Sequence, residues 1–195
     1  TGRDDMSTTL WGMTGLWCAD LFASHQGVIV PNLVKARLIS YLYQNKHGCP
    51  GGGEGVAYTV GYGACEHVVN AGLTLALGWV GANKYETTDG RIAFPGYSYV
   101  NNPTLGSLRT TYNNALTFFN ANFAASPSTA IGWNPSTVQG GDFTRVDGLG
   151  NHYAMLHWQD AARAVDPEIV TFGANDWYRL YSTYFIRNQA ATGTW

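Results

Sequence analysis

Residues 63–79, GACEHVVNAGLTLALGW, decide the fold. Almost every position is small or apolar, and the polar exceptions Glu66, His67 and Asn70 sit near the start. A helix that is apolar all round is buried all round, so this segment reads as a central helix that the rest of the chain must enclose. It is not a membrane span. The nearly uncharged run from Val68 to Asn83 contains Asn70, three glycines and Thr74 and falls short of the roughly 20 apolar residues a span needs.

Five further segments carry helical spacing and can do the enclosing. The first runs from about Asp5 to Ser24, with Leu10, Met13, Trp17 and Leu21 three or four residues apart and Asp4 and Asp5 at the end where carboxylates favour the helix dipole. The second runs from Pro31 to Lys46, with Pro31 suited to a first helical position, Gly48 to a stop, and a stripe of Leu33, Val34, Arg37, Leu38, Tyr41 and Leu42. The fourth, Leu105 to Ala124, sets Leu108, Tyr112, Ala115, Leu116, Phe119 and Phe123 against Thr110, Asn113, Asn114, Thr117 and Asn120. The fifth starts near Asn151, a good N-cap, and ends near Val165 before Asp166-Pro167. The sixth, capped by Asn175 or Asp176, carries Trp177, Leu180, Tyr181, Tyr184 and Phe185.

The connections differ from one another. HGCPGGGEG, residues 47–55, has five glycines and one proline in nine residues and reads as an irregular loop. Turn-rich pieces fill 81–103, where residues 92–100 have the look of a short strand or hairpin arm. Residues 126–150 form a loop long enough to expect a function for it or a neighbour that holds it down. The expected architecture is therefore mainly α: about six helices around one core, in a single domain spanning 1–195, with long Gly/Pro/Asn-rich loops. The chain opens at Thr1 without a basic stretch followed by an apolar one, which reads as a processed chain or a piece of a larger polypeptide.

Composition then narrows the function. Apolar residues make up 45% of the 195, and charged ones only 12%, about half the usual share. Disorder needs the opposite balance. Eleven basic and 13 acidic residues leave no footprint for a nucleic-acid groove or an anionic membrane. Three cysteines, Cys18, Cys49 and Cys65, lack CxxC spacing; they support neither a dense disulfide framework nor a cysteine zinc site, while one bridge stays possible. GxSxG, the GKS or GKT of a P-loop and GxGxxG are absent, so no cofactor or metal motif is found.

Two clusters still carry reactive groups. Cys65-Glu66-His67 enters the buried helix straight after the glycine loop, but successive helical residues point about 100° apart and cannot converge on one atom. The plain reading is a buried cysteine beside two polar groups at a helix end. Glu54 lies in the same loop, and a Glu54/Glu66 pair suits glycoside hydrolysis if the carboxyls stand roughly 5 to 10 Å apart. In the second cluster, His152 and His157 are five apart, one off the spacing that puts two imidazoles on one metal. His157 and Asp160 are three apart and fit an Asp-oriented imidazole or, more simply, a helix-surface ion pair.

The chain holds 27 aromatic residues, and several fall in loops: Tyr85, Phe94, Tyr97, Tyr99, Trp133 and Phe143. These suit either an interface or the stacking of sugar rings. Interface cores are depleted in charge and enriched in aromatics, so a surface with this few charges is expected to meet other protein. The leading expectation is thus a self-assembling structural subunit, such as part of a virus capsid or another closed shell, whose partners are copies of itself or sister chains. That reading leans away from catalysis. The rival is a secreted hydrolase or lyase acting on a neutral polysaccharide, with Glu66 or Glu54 as acid, His67 or His152 as base or orienter, and Trp133 and Tyr97 as the sugar platform. A third class is a non-catalytic sugar- or protein-binding module.

Overall fold

At the centre of the computed structural model lies α3, His67–Trp79, and every residue from Asn70 to Gly78 is buried. The structure describes residues 6–26, 29–49, 52–57, 65, 67–82, 105–123, 152–165, 167–172 and 175–188. An all-round apolar helix has no face to give to water, and its neighbours enclose it. Helix α5 (His152–Arg163) packs along it most extensively, α1 (Met6–Gln26) and α4 (Leu105–Phe123) next, and α2 (Asn32–Asn45) more lightly. Helix α6 (Trp177–Asn188) completes a mainly helical fold with two short antiparallel hairpins.

Glycine permits the close approach to α3. A Cβ on Gly72 would meet Leu10 and Met13 of α1, and one on Gly78 would meet Val165 just beyond α5. The helix ends with hydrogen bonds from Gly81 N–H to the Gly78 carbonyl and from Ala82 N–H to the Leu77 carbonyl, both 2.9 Å, while Gly81 sits at φ +79°. This is a Schellman motif, which needs a left-handed residue just past the helix, and glycine takes that conformation without a Cβ penalty. The two polar residues carried into the centre are provided for in part, since Asn70 Nδ2 is buried without a hydrogen-bond partner. Thr74 Oγ1 donates to the Asn70 carbonyl at 3.0 Å, and Asn70 Oδ1 accepts the Val56 N–H at 2.7 Å.

The six helices lie where their spacing places them, within a few residues at each end. Helix α3 begins four residues later than the sequence pattern suggests, at His67. Helix α6 takes Asp176 as its N-cap, whose Oδ1 accepts the Arg179 N–H at 2.9 Å. The faces are less well foretold. On α2 the buried residues are Ala36, Ile39, Ser40 and Leu42, whereas Leu33 and Val34, expected inside, are 38% and 37% exposed. The buried face thus joins the small Ala36 and Ser40 to the large Ile39 and Leu42, and Leu33 and Val34 lie at its edge. On α1, Met6, Leu10 and Met13 are buried as the spacing requires, but Leu21 is exposed.

The glycine loop is a correction of the opposite kind. Residues 47–49 and 52–55 belong to a hairpin, β1 (His47–Gly48) with β2 (Glu54–Gly55), in which His47 pairs with Gly55 and Gly48 with Glu54. A turn closes it through Gly52 N–H to the Cys49 carbonyl and Cys49 N–H to the Gly53 carbonyl, both 3.1 Å. Gly52 and Gly53 adopt φ +106° and +86°, so the glycines expected to prevent regular structure supply the backbone that folds it back. Gly53 also has no space for a side chain, since a Cβ there would strike the Asn114 carbonyl of α4. A disulfide from Cys49 to Cys65 ties the hairpin to the approach of α3. The second hairpin joins β3 (Thr171–Phe172) to β4 (Asn175–Asp176). The strand expected at 92–100 lies outside the described residues.

An aromatic chain unites the far side of the core. Phe118 and Phe119 of α4 meet at 5.6 Å, Phe119 reaches Trp158 of α5 at 4.6 Å, and Trp158 stands edge-on to Trp177 of α6 at 6.3 Å. Such pairs add to the burial of large apolar surface.

Candidate functional site

The hairpin β1–β2 positions Glu54, one of two catalytic candidate carboxylates whose surroundings are described, the other being Asp160 of α5. Glu54 Oε1 accepts a hydrogen bond and ion pair from Lys46 Nζ at 2.7 Å, and Lys46 lies 4.8 Å over the Tyr43 ring. Their spacing in sequence is eight residues; the hairpin's fold-back brings them together. Burial pushes the Glu54 carboxyl up, but Lys46, together with Asn114 and Thr111 of α4, outweighs it and holds the pKa below the ordinary carboxylate range. Glu54 is therefore an anion at neutral pH. It suits a nucleophile or an electrostatic anchor, while a general acid needs a carboxyl with a raised pKa.

The remaining catalytic candidates do not gather around it. Cys65 is spent in the disulfide, so the Cys65-Glu66-His67 cluster has no free thiol. Glu66 lies outside the described residues, and His67 and His152 are placed only as the first residues of α3 and α5. His157 is on α5, fully buried, with its ring 4.6 Å from the Trp11 ring in an edge-on contact. Burial drives its pKa down to about 4, which keeps it neutral and ends the expected surface ion pair with Asp160. Asp160 itself is pushed up by burial, against the pull of Arg163. His157 is thus a core side chain facing α1. Sequence spacing alone hid this, because the i, i+3 relation to Asp160 is the same on a buried face as on an exposed one.

The loop aromatics Tyr85, Phe94, Tyr97, Tyr99, Trp133 and Phe143 lie outside the described residues. Exposed apolar side chains occur instead on the helices. Leu21 (56%), Ile29 (75%), Leu33 and Val34 flank the junction of α1 and α2. There the charges Asp20 and Lys35 are bound to each other at 2.5 Å. Trp11, half exposed, lies farther along α1, and Leu156 (47%) neighbours the His157 that Trp11 touches.

Sequence reading missed Lys46 as the partner of Glu54, and it missed Arg163, Glu168 and Tyr178, which line a cleft near α6. Lys46 and Glu54 flank the glycine loop, and only the hairpin register reveals that they meet. Among the described residues no three His, Cys, Asp or Glu side chains are placed to hold a metal ion, and no helix is long and apolar enough to cross a membrane. No family model, curated protein or solved structure matches the chain.

Proposed function

We propose that this chain is a structural subunit that associates with copies of itself, as in a virus capsid or another closed shell, through the apolar surface at the α1–α2 junction. The observation that carries the reading is the outward turn of α2. Leu33 and Val34 are more than a third exposed near Ile29 and Leu21, although the same helix buries Ala36, Ile39, Ser40 and Leu42. Scattered surface hydrophobics are ordinary, but a group at one helix junction in a chain with 12% charged residues is the composition of an interface core. The Asp20–Lys35 pair is already neutralised, which leaves the exposed Arg37 as the charge nearest Leu33 and Val34, and the apolar side chains themselves ask for an apolar partner. A second copy of the same surface meets that demand, as in an isologous contact.

Sedimentation velocity of the chain at neutral pH tests it. The expected result is a particle several times the 21.2 kDa of one chain, reduced towards monomer by Ile29→Asp with an unchanged melting temperature. A wild-type protein that stays at 21.2 kDa across micromolar concentrations refutes the reading.

The secreted hydrolase or lyase acting on neutral polysaccharide remains the second reading, and the Cys49–Cys65 disulfide favours it, because such bridges persist in oxidising compartments. In that case Glu54 is the anionic member of the carboxylate pair, with Glu66 as acid. Loss of glycan cleavage in both Glu54→Gln and Glu66→Gln is its test.

A further inference from the structure

A cleft of about 380 Å³ opens where the end of α5, the β3–β4 hairpin and the first turn of α6 meet. From this cleft we infer a binding site for a small neutral carbohydrate, one or two sugar rings, stacked on Tyr178 and hydrogen-bonded by Arg163, Glu168 and Asp176. The inference is independent of whether the chain assembles.

One wall is aromatic and rigid. Trp177 is buried, its Nε1 donates to the Ile169 carbonyl at 2.6 Å, and its ring is braced edge-on by Trp158 at 6.3 Å and by Tyr181 at 5.8 Å. Tyr178 stands against it at 5.7 Å with the ring planes 87° apart, so the two rings make a corner. Tyr178 is the open side of that corner, 57% exposed, and Val170 beside the cleft is 64% exposed. An aromatic side chain that is exposed yet set against a fixed neighbour loses little freedom on contact with a ligand.

The polar lining has hydrogen-bonding capacity to spare. Among the described residues, Glu168 makes no hydrogen bond or ion pair, Arg163 attracts Asp160 without a hydrogen bond to it, and Asp176 uses one carboxylate oxygen to cap α6. A guanidinium can only donate and a carboxylate can only accept. An anionic ligand meets two carboxylates, and a cationic one meets Arg163. A purely apolar ligand leaves charged groups covered and unsatisfied, which is costly. Hydroxyl groups both donate and accept, so a polyol satisfies donor-only and acceptor-only partners together without adding charge. A pyranose also offers a face of C–H groups to Tyr178. The volume is at the small end of the range of roughly 300–1,000 Å³ typical of small-molecule sites, which suits one or two rings better than a long chain.

The test uses the whole chain with cellobiose, maltose and N,N′-diacetylchitobiose as probes, read by titration calorimetry and by the fluorescence of Trp177 beneath the site. At least one disaccharide is expected to bind saturably at up to millimolar concentration. Tyr178→Ala is expected to weaken it by about tenfold or more, without a change in melting temperature, because that ring is exposed. Glu168→Gln, which keeps an acceptor oxygen, is expected to retain binding within about threefold, and Glu168→Ala to lose more. Absence of binding by all three sugars, equal binding by wild type and Tyr178→Ala, or saturable binding of lysine methyl ester in place of the sugars each overturns the proposal.

Discussion

Asp20 joins three helices, and its replacement measures how the α1–α2 junction is held to the core. Its Oδ2 accepts from Lys35 Nζ of α2 at 2.5 Å and from Trp79 Nε1 of α3 at 2.8 Å, and its Oδ1 accepts the Val30 N–H at 3.3 Å. Lys35 also lies 4.8 Å over the Trp79 ring. The ionised side chains are 20% and 14% exposed, so the pair is neither a solvent-screened surface bridge nor fully desolvated. A hydrogen bond to a charged group contributes about 1.5–3 kcal/mol, and partial exposure places the loss from Asp20→Asn near 2 kcal/mol, since the amide oxygen keeps one neutral bond. Asp20→Ala, which strands Trp79 Nε1 and Lys35, costs about 3 kcal/mol. In the cycle with Lys35→Met the coupling is about 1 kcal/mol.

The pH dependence of this loss separates the charge from the shape. Burial raises the Asp20 carboxyl, but Lys35, Trp79 and Val30 outweigh it, so the folded-state pKa lies below the ordinary value. A depressed carboxyl contributes stability that is complete above its unfolded pKa and is lost as pH falls through the folded one. The Asp20→Asn deficit is therefore level from about pH 5 to 8 and shrinks below about pH 4. Urea titrations followed by tryptophan fluorescence read it directly. A deficit under about 0.5 kcal/mol at pH 7, or one that stays constant into strong acid, refutes the account.

Other consequences follow from the core and the hairpin. His157 has a folded-state pKa of about 4, below its ordinary value, so the unfolded chain binds the extra proton between roughly pH 6.5 and 4. Stability falls across that window as pH drops, by about 3 kcal/mol in all, and His157→Leu should flatten the slope of urea stability against pH relative to wild type. Gly78→Ala drives a Cβ into the branched Val165 side chain, whereas Gly72→Ala meets flexible ends of Leu10 and Met13. Thermal melts should show a loss of about 1–3 kcal/mol for the first and near neutrality for the second, with Val165→Ala rescuing Gly78→Ala. The Cys49–Cys65 bridge spans 16 residues, so reduction should cost about 3 kcal/mol in urea titrations. The denatured, unreduced chain should release one thiol, Cys18, to a thiol reagent.

The element types were legible because they depend on spacing, and the faces were less so because they depend on neighbours. Residues 63–79 announced a buried helix through the absence of any polar face, and α4 announced its outward Thr110, Asn113, Thr117 and Asn120 correctly. On α2 the pattern pointed to Leu33 and Val34, whereas the buried face takes Ala36, Ile39, Ser40 and Leu42, a set in which a periodicity argument gives little weight to the small Ala36 and the polar Ser40. The glycine loop misled for a related reason: composition shows that residues 52 and 53 permit positive φ, while only pairing shows that they use it in a hairpin. The same limit applied to the sites. Glu54 was found as a carboxylate near a loop, but Lys46, which fixes its ionisation, required the hairpin register. The cleft lined by Arg163, Glu168 and Tyr178 is assembled from a helix end, a hairpin and a helix start, with no motif to join them.

The small residues that enclose α3 also shape the outer surface. On α2 the side turned to the core carries the small Ala36 and Ser40 beside Ile39 and Leu42. Leu33 and Val34 lie to the flank of that face, where a solitary monomer would be expected to carry lysine or glutamate. Here Leu33 and Val34 are apolar beside the exposed Arg37, and the nearby Asp20 and Lys35 bind each other and Trp79. The choice of Ala36, Ile39, Ser40 and Leu42 as the buried face leaves these side chains outward, but it places no demand on what they are. Retention of leucine, valine and isoleucine there is a separate choice, and burial against another copy of the chain gives that choice a physical reason.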